Sequence, residues 1–528
     1  MSENLSVHTR AQSGSRDSRS RTSAVPLRSA TGAAASVAAG STASAAKGSA
    51  SASGWAAIAL VCALSLAGCA EVGPDYRQPA STMPAAFHNS TALAAHDAAA
   101  PAPAPALDTW WNGFNDPELT RIVQRVLAQN LDLAAAMARI QQACAAANHA
   151  GAERLPESSA SASIAGERQS LNSPLGEAGQ TLPGYTRNQS LTDLGIGASW
   201  EIDLFGGLKR GAEAADAQAQ AAQADGDGVR ISVAAEAADA YFRVRGAQQR
   251  IAIAQSQVDT DSHLLQLVTW RMNDGLATNR ELAEVQALVA QSRATIPPLR
   301  IEQETQLNRL DVLMGAQPGT YAAELRSAAD GWVVPAISTA QGPADLLRRR
   351  PDVIAAERRV AAANAQIGVA TAEYYPKVSI SALLGFESLS GGKLLSAASF
   401  QPEALAGLRW RLFDFGRVDA EVAQAKGVNA EALANYRKAM LRATEDVENS
   451  IVTLTQTEMQ SQELSTEVDA QRRARDAAED AYKGGAIGLY EVLDQDRQLL
   501  AAQDQLASAH TDDARAAVST FRALGGGW

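Results

Sequence analysis

Trp200-Glu201-Ile202-Asp203-Leu204-Phe205-Gly206 returns as Trp410-Arg411-Leu412-Phe413-Asp414-Phe415-Gly416, with Trp, an aliphatic residue, Phe and Gly at matched places and an offset of 410 − 200 = 210. The same offset aligns Gly275, Glu281, Leu282 and Glu284 with Gly485, Glu491, Val492 and Asp494. Upstream, Asp132, Arg139, Ala150, Glu153 and Pro156 match Asp352, Arg359, Ala370, Glu373 and Pro376 at 352 − 132 = 220. One unit has therefore been duplicated, and the first copy carries ten more residues (220 − 210) between Pro156 and Trp200. A repeat of this length decides architecture before any local motif does.

The residues flanking these stretches alternate. Leu194, Ile196, Ala198, Trp200, Ile202 and Leu204 interleave with Asp193, Gly195, Gly197, Ser199, Glu201 and Asp203. In the second copy Val378, Ile380, Ala382, Leu384 and Phe386 form one such series, and Ala406, Leu408, Trp410 and Leu412 another. Period two with one face wholly apolar and the other polar is the pattern of a transmembrane β-strand, and a half-buried soluble sheet alternates in the same way. Trp200 and Trp410 fit an aromatic girdle at a membrane interface.

Long helical patterns follow each strand region. Leu208 to Asp274 and Val418 to Gly484 are 67 residues each (274 − 208 + 1; 484 − 418 + 1) without proline, roughly 100 Å at 1.5 Å per residue. Val418, Val422, Ala425, Leu433, Tyr436, Met440, Val447, Ile451 and Leu454 keep a 3.6 period, which predicts weak supercoiling. Glycine ends each helix, and a second helix returns: one from about Glu281, which Pro297-Pro298 should kink or break, and one from Leu489 to about Leu524. Asp116-Pro117-Glu118 predicts a helix start running to about Glu153. Its twin runs from near Pro343 to about Tyr374, with a break or fresh start at Pro351.

Composition narrows the function. A net charge of −12, with Arg348 to Arg350 as the one notable basic run, argues against a nucleic-acid partner. Those arginines instead suit capping or bridging of neighbouring helices. Three cysteines (62, 69 and 144) are too few for a disulfide framework, and the six histidines show no ligand spacing, so neither metal nor other cofactor is expected. No Ser, Cys and His constellation suggests an enzyme. Gly391-Gly392-Lys393 lacks the first glycine and the following Ser/Thr of a phosphate loop and fits a loop between strands.

Residues 1–68 read as a disordered Ser/Ala/Gly/Arg leader followed by a signal segment, Trp55 to Ala67 being too short to span as a stable helix. The leader is longer than a usual n-region, so translation starts later or the n-region is extended. Leu66-Ala67-Gly68-Cys69 resembles a bacterial lipobox, which would make Cys69 an acylated N-terminus; an ordinary signal peptide with a chance cysteine is the alternative. Residues 69–107, rich in Ala and Pro, read as an extended lipidated tether. The first repeat is then 108–316, a connecting equatorial segment 317–342 and the second repeat 343–528.

Four amphipathic strands cannot close a barrel, and helices of roughly 100 Å cannot lie in a bilayer core of about 30 Å. The expected object is an α+β membrane protein: a homotrimer whose twelve strands, four per chain, form a β-barrel continued by a long α-helical barrel. At this point the chain resembles the outer-membrane factors of tripartite efflux systems, the TolC-like and especially OprM-like lipoproteins. The resemblance is carried by Trp110-Trp111 with Phe114, Asp116-Pro117 and Leu119; by Trp200 to Gly206; by Leu347-Arg348-Arg349-Arg350-Pro351-Asp352 with Glu357 and Ala365; by Ala372-Glu373 with Tyr375-Pro376; and by Ala523 to Trp528. It implies a homotrimeric exit duct for small molecules in the outer-membrane lipid, joined to a periplasmic membrane-fusion (adaptor) protein and an inner-membrane RND-type transporter, with no enzymatic chemistry. It places adaptor-docking tips at Arg271, Asp274, Gly275 and Leu276 and at Lys483, Gly484 and Gly485, and a pore gate at Tyr490, Asp494 and Arg497. Tyr490 departs from the aliphatic residue the family pattern leads one to expect there. A duct for type I protein secretion, or a lipid-tethered periplasmic helical scaffold, are the rival readings.

Overall fold

A computed structural model describes residues 71–80, 86–100, 102–326, 331–337, 342–344 and 349–528. The leader, the signal segment with Cys62, the lipobox Cys69 and Arg348 lie outside the described residues.

Chain order alternates helices with a small sheet. Helix α1 is Ser90–Ala99, followed by a 3-10 segment Leu107–Phe114; α2 is Pro117–Gln129 and α3 Leu131–Ala152. Strand β1 (Glu157–Arg168), a short helix α4 (Pro174–Gln180) and β2 (Asn188–Ile202) follow. Then come the long α5 (Gly207–Asn273) and its return α6 (Asn279–Leu313). The second half repeats the plan with α7 (Pro351–Ala372), β3 (Lys377–Ser388), β4 (Phe400–Arg409), α8 (Arg417–Lys483) and α9 (Leu489–Ala523). The two long helices are 67 residues each, displaced by one residue from the expected bounds.

Three expectations are corrected. The helix begun at Asp116 does not run unbroken to Glu153. Asn130, with extended backbone, stops α2 and caps α3: its side chain accepts from Asp132 N (2.9 Å) and Leu133 N (3.1 Å) and donates to Leu313 O (2.9 Å). Pro297 and Pro298 do not break α6, which runs through both. An interior proline forfeits a backbone bond and costs about 3 kcal/mol in isolation, but α6 lies along α5 for much of its length, and that packing holds it helical. Residues 69–107 are not extended throughout, since Ser90–Ala99 is helical and docked on α8. Glu448 accepts from Asn89 N (3.1 Å) and Asn89 Nδ2 (2.7 Å) at the head of α1, and His96 meets Glu458 at 2.7 Å.

The core sits at the waist of the long helices. Trp110 stacks on Phe521 (5.4 Å, 11°), Phe114 tilts onto Phe242 (5.0 Å), and Phe242 meets Trp332 edge-on. Asp116 caps α2 through Glu118 N (2.9 Å) and Leu119 N (3.1 Å), as its position before Pro117 predicts, and also accepts from the buried Tyr241 hydroxyl. Arg350 bridges helices: its guanidinium meets Asp446 (2.8 Å) and the carbonyls of Ala443 (3.3 Å) and Ala523 (3.2 Å). None of the described helices is long and apolar enough to cross a membrane.

Asn130→Ala should lower stability by about 1–3 kcal/mol, because α3 loses its cap and Leu313 O its buried donor. A denaturant titration of the detergent-solubilised protein followed by circular dichroism measures this directly.

Candidate functional site: an open sheet and two helical tips

The four strands form one antiparallel meander in the order β1-β2-β3-β4. Ala160 lies opposite Ile196, Ile196 opposite Leu384, and Leu384 opposite Pro402. That register puts Ile164, Leu194, Ile196, Trp200, Ile380, Leu384, Phe386, Leu408 and Phe400 on one face, because residues two apart share a face. The other face carries Ser159, Ser161, Asp193, Glu201, Ser379, Glu387 and Glu403, with Leu191, Leu383 and Leu405 as large apolar exceptions. Strands of 10–15 residues reach across a hydrocarbon core, which needs about 9–11 tilted residues. β1 has little apolar bulk; its signal is the Ser/Ala alternation from Ser159 to Ile164.

The two tryptophans hold equivalent places at the helix-side end of the sheet. Trp200 Nε1 donates to Arg154 O and Trp410 Nε1 to Tyr374 O, both at 2.9 Å, and the acceptors are themselves repeat mates (154 + 220 = 374). Trp200 lies inside β2, whereas Trp410 is one residue beyond β4. Each indole ties its strand to the preceding helix–strand corner.

At the other end of the long helices are the two turns. Gly275 (φ +72°) and Gly485 (φ +74°) take the left-handed conformation that glycine adopts without strain. In the first turn Gly275 N donates to Met272 O (3.0 Å) and Leu276 N to Arg271 O (2.7 Å). In the second, Gly485 N donates to Tyr482 O and Ala486 N to Ala481 O, both at 2.9 Å. Both are Schellman ends, which satisfy the last helical carbonyls. The turns differ in their exits. Thr278 and Glu281 form a capping box that holds the Glu281 carboxyl below its usual range, whereas Gly488 stands where Thr278 would be (278 + 210). Arg271 donates to the Tyr482 hydroxyl and lies over its ring, so the two tips are tied to each other. Val268, Val285 and Leu489 form a small core beneath them. Asp274, Leu276, Lys483 and Gly484 face outward.

Tyr490, Asp494 and Arg497 all lie on α9 just beyond the second tip. Arg497 Nη2 donates to Asp494 Oδ1 (2.6 Å) and Gln498 Nε2 to Asp494 Oδ2 (2.6 Å), within one helix. Tyr490 is 66 % exposed. Sequence reasoning missed the acids behind this face. Asp261 of α5 is fully buried and accepts from Ser292 of α6 and from Gln257 Nε2 (2.8 Å). Asp496 pairs with Arg475 of α8 at 2.9 Å, and Asp513 accepts from Ser461 at 2.5 Å. For Asp496 the signal is position: Leu489, Val492 and Asp496 descend by three and four along one buried stripe. Burial pushes all three carboxyls above the ordinary range, with the hydrogen bonds and Arg475 pulling back.

With this geometry in place, the comparisons identify the class. The sequence pattern of the outer membrane efflux protein family covers residues 122–316 and 342–526. The pyoverdine export outer membrane protein OpmQ of Pseudomonas aeruginosa is 33 % identical over 423 residues, 79 % of this chain and 87 % of that one. The probable outer membrane lipoprotein SilC of Salmonella typhimurium is 26 % identical over 466 residues, 88 % of this chain and 96 % of its own. The solved outer-membrane channel OprN shares the fold with a TM-score of 0.76 and 33 % identity, covering 87 % of this chain and 99 % of that one. The chain belongs to the outer membrane efflux protein family. It is a protein of the outer membrane and the exit duct of an efflux system.

Asp261 is held above its ordinary pKa, so its ionised form costs stability at neutral pH. That cost disappears as pH falls from the folded-state value towards the usual carboxylate range. Stability of the α5–α6 hairpin should therefore rise on mild acidification. Asp261→Asn keeps an oxygen for Gln257 and offers an N–H to Ser292, so it should raise the melting temperature at pH 8 and flatten its pH dependence relative to the parent. Melting curves between pH 5 and 8 test this.

Proposed function

We propose that three copies join their sheets into a twelve-stranded barrel in the outer membrane and their long helices into a periplasmic tube, through which small molecules leave. The observation that carries the reading is the sheet itself: apolar on one face, polar on the other, open at both edges, and continuous with helices of roughly 100 Å. The polar face lines the lumen. Trp200 and Trp410 sit at the level where an aromatic girdle meets the inner headgroups. The tips around Arg271, Asp274, Gly275 and Leu276 and around Lys483, Gly484 and Gly485 receive a periplasmic adaptor protein, and an RND-type inner-membrane transporter supplies the cargo. Segments 108–316 and 343–528 act as equivalent units joined by 317–342.

Tyr490, Asp494 and Arg497 form the gate in this proposal. Symmetry brings three copies of an exposed phenol and an adjacent acid to one level of the tube. The tyrosines supply bulk and the aspartates a ring that favours cations. Arg271, tied to Tyr482, holds the two tips together in the closed state. Asp494→Ala should raise the resting conductance of the protein in planar bilayers severalfold and weaken its cation preference; unchanged conductance and selectivity would remove these residues from the gate.

Cys69 carries the lipid anchor. SilC, a relative over most of its length, is named as an outer membrane lipoprotein. Cells fed labelled palmitate should label the wild-type protein, and Cys69→Ala should abolish that label. Retention of the label in the variant would move the acylation elsewhere.

A further inference from the structure

Helix α1 depends on what it touches. Its ten residues fall short of the roughly 12–15 below which an isolated helix is marginal in water. It lies at the waist, where Phe87 and Leu93 join Val447, Ile451 and Leu454 of α8 in one buried cluster. Its polar ties run to two partners. At its head, Glu448 of α8 accepts from His88 N (2.5 Å) and from Asn89. At its tail, Asp97 accepts from Ile337 N (2.7 Å), and Ala102 O just beyond accepts from Ala336 N (3.0 Å). Helix α1 thus straps the connecting segment 331–337 to the middle of α8.

His96 closes the strap. Its side chain is 3 % exposed, and Nδ1 lies 2.7 Å and 2.9 Å from the two Glu458 oxygens. Nε2 is buried and has no hydrogen-bond partner among the described residues. A neutral imidazole has one N–H to give. With that N–H spent on Glu458 at Nδ1, Nε2 is a buried lone pair with nothing to accept, which is costly. The imidazolium suits its surroundings better. Glu458 and Asp97 both act on it as negative charges, and the Pro335 carbonyl favours a proton on the ring. It also sits in the last turn of α1, where the helix carbonyls favour a cation. Beyond Glu458, Asp513 of α9 accepts from Ser461, with His510 of the same helix acting on it. Gly331 to Ile337 carries no ionisable side chain.

We infer that His96 is a proton-operated latch: with its ring charged, α1 stays bound to Glu458 and belts α8 to the connecting segment, and with its ring neutral α1 lets go of α8. The inference is independent of the trimer and the gate proposed above. Burial by itself would lower the pKa of the ring. The hydrogen bond and charge of Glu458, helped by Asp97 and the Pro335 carbonyl, outweigh burial and hold it above the usual 6.5. Docking is therefore strongest below that value and is lost as pH rises through the docked-state pKa. Burial raises the carboxyls of Asp97 and Asp513 as well, so both push in the same direction at lower pH. Acid surroundings hold α8 at its middle, and alkaline surroundings release it there.

The test is amide hydrogen exchange on the full-length protein in detergent between pH 6 and pH 8, with rates corrected for the intrinsic effect of pH. Protection of Ser90–Ala99 should fall about tenfold from pH 6 to pH 8, while that of Pro117–Gln129 in α2 stays level. His96→Gln should make the protection of α1 independent of pH. Glu458→Gln keeps a hydrogen-bond partner but removes the charge, so it should bring protection at pH 6 down to the level the parent shows at pH 8. Level protection of α1 across this range in the parent overturns the latch. A full pH response surviving in His96→Gln assigns the response to other groups and overturns it too. Where His96→Gln also loosens α2, the parent profile and Glu458→Gln decide the matter: an unchanged pH response in Glu458→Gln removes the latch.

Discussion

A backbone amide in hydrocarbon has no water to turn to, and each unpaired group there costs several kcal/mol. β1 and β4 both leave such rows open, and the meander order keeps them at opposite edges of the sheet. A single chain can therefore be neither the membrane-spanning nor the transporting object. Because the polar face of Ser, Gly, Asp and Glu lies opposite the apolar one, closing the ring encloses a wet lumen. Conduction is then a by-product of satisfying hydrogen bonds, and no site along the strands is required to recognise cargo.

The helices meet a different demand. Long, alanine-rich rods bury little apolar surface per residue, so they depend on ties at intervals. At the waist the tie is the aromatic cluster around Trp110. Near the sheet it is Arg210, buried among Glu71 (3.1 Å), Asp75 (2.7 Å) and Glu213 (2.9 Å), which pins the N-terminal segment into the groove between α5 and α7. Near the tips it is the small Val268–Val285–Leu489 core. Between waist and tips the buried acids Asp261, Asp496 and Asp513 replace apolar contacts with polar ones. That stretch gives up packing where the proposed gate has to move.

Much of this was legible because period and repeat are global signals. The alternation around Trp200 and Trp410 located β2 and the β3–β4 hairpin, and the proline-free runs located both long helices within a residue. Local competition hid the rest. Asn130 sits in unbroken helical periodicity, and only its bond to Leu313, 183 residues away, shows why the chain turns there. The Ser/Ala alternation of β1 carries too little apolar contrast to announce a strand, since its bulk is supplied by neighbouring strands. Residues 90–99 look like more tether until Glu448 caps them from α8. Pro297 and Pro298 read as a break because local propensity does not contain the partner helix α5. The tips were legible through glycine, but the Arg271–Tyr482 tie joins two turns 211 residues apart and has no local signature.

The stacking of Trp110 on Phe521 also bears on the order in which the molecule is made. Gly527 N donates to Leu107 O at 2.7 Å and Arg230 Nε to Gly527 O at 2.8 Å, so the waist core takes its material from both extremes of the repeat region. Contacts of such high sequence separation carry a large loop-closure cost and form late. The aromatic cluster cannot be completed until residues 521–527 have been synthesised. The Trp110 indole, fully buried in the finished fold, therefore stays uncovered until the last residues of the repeat region are present.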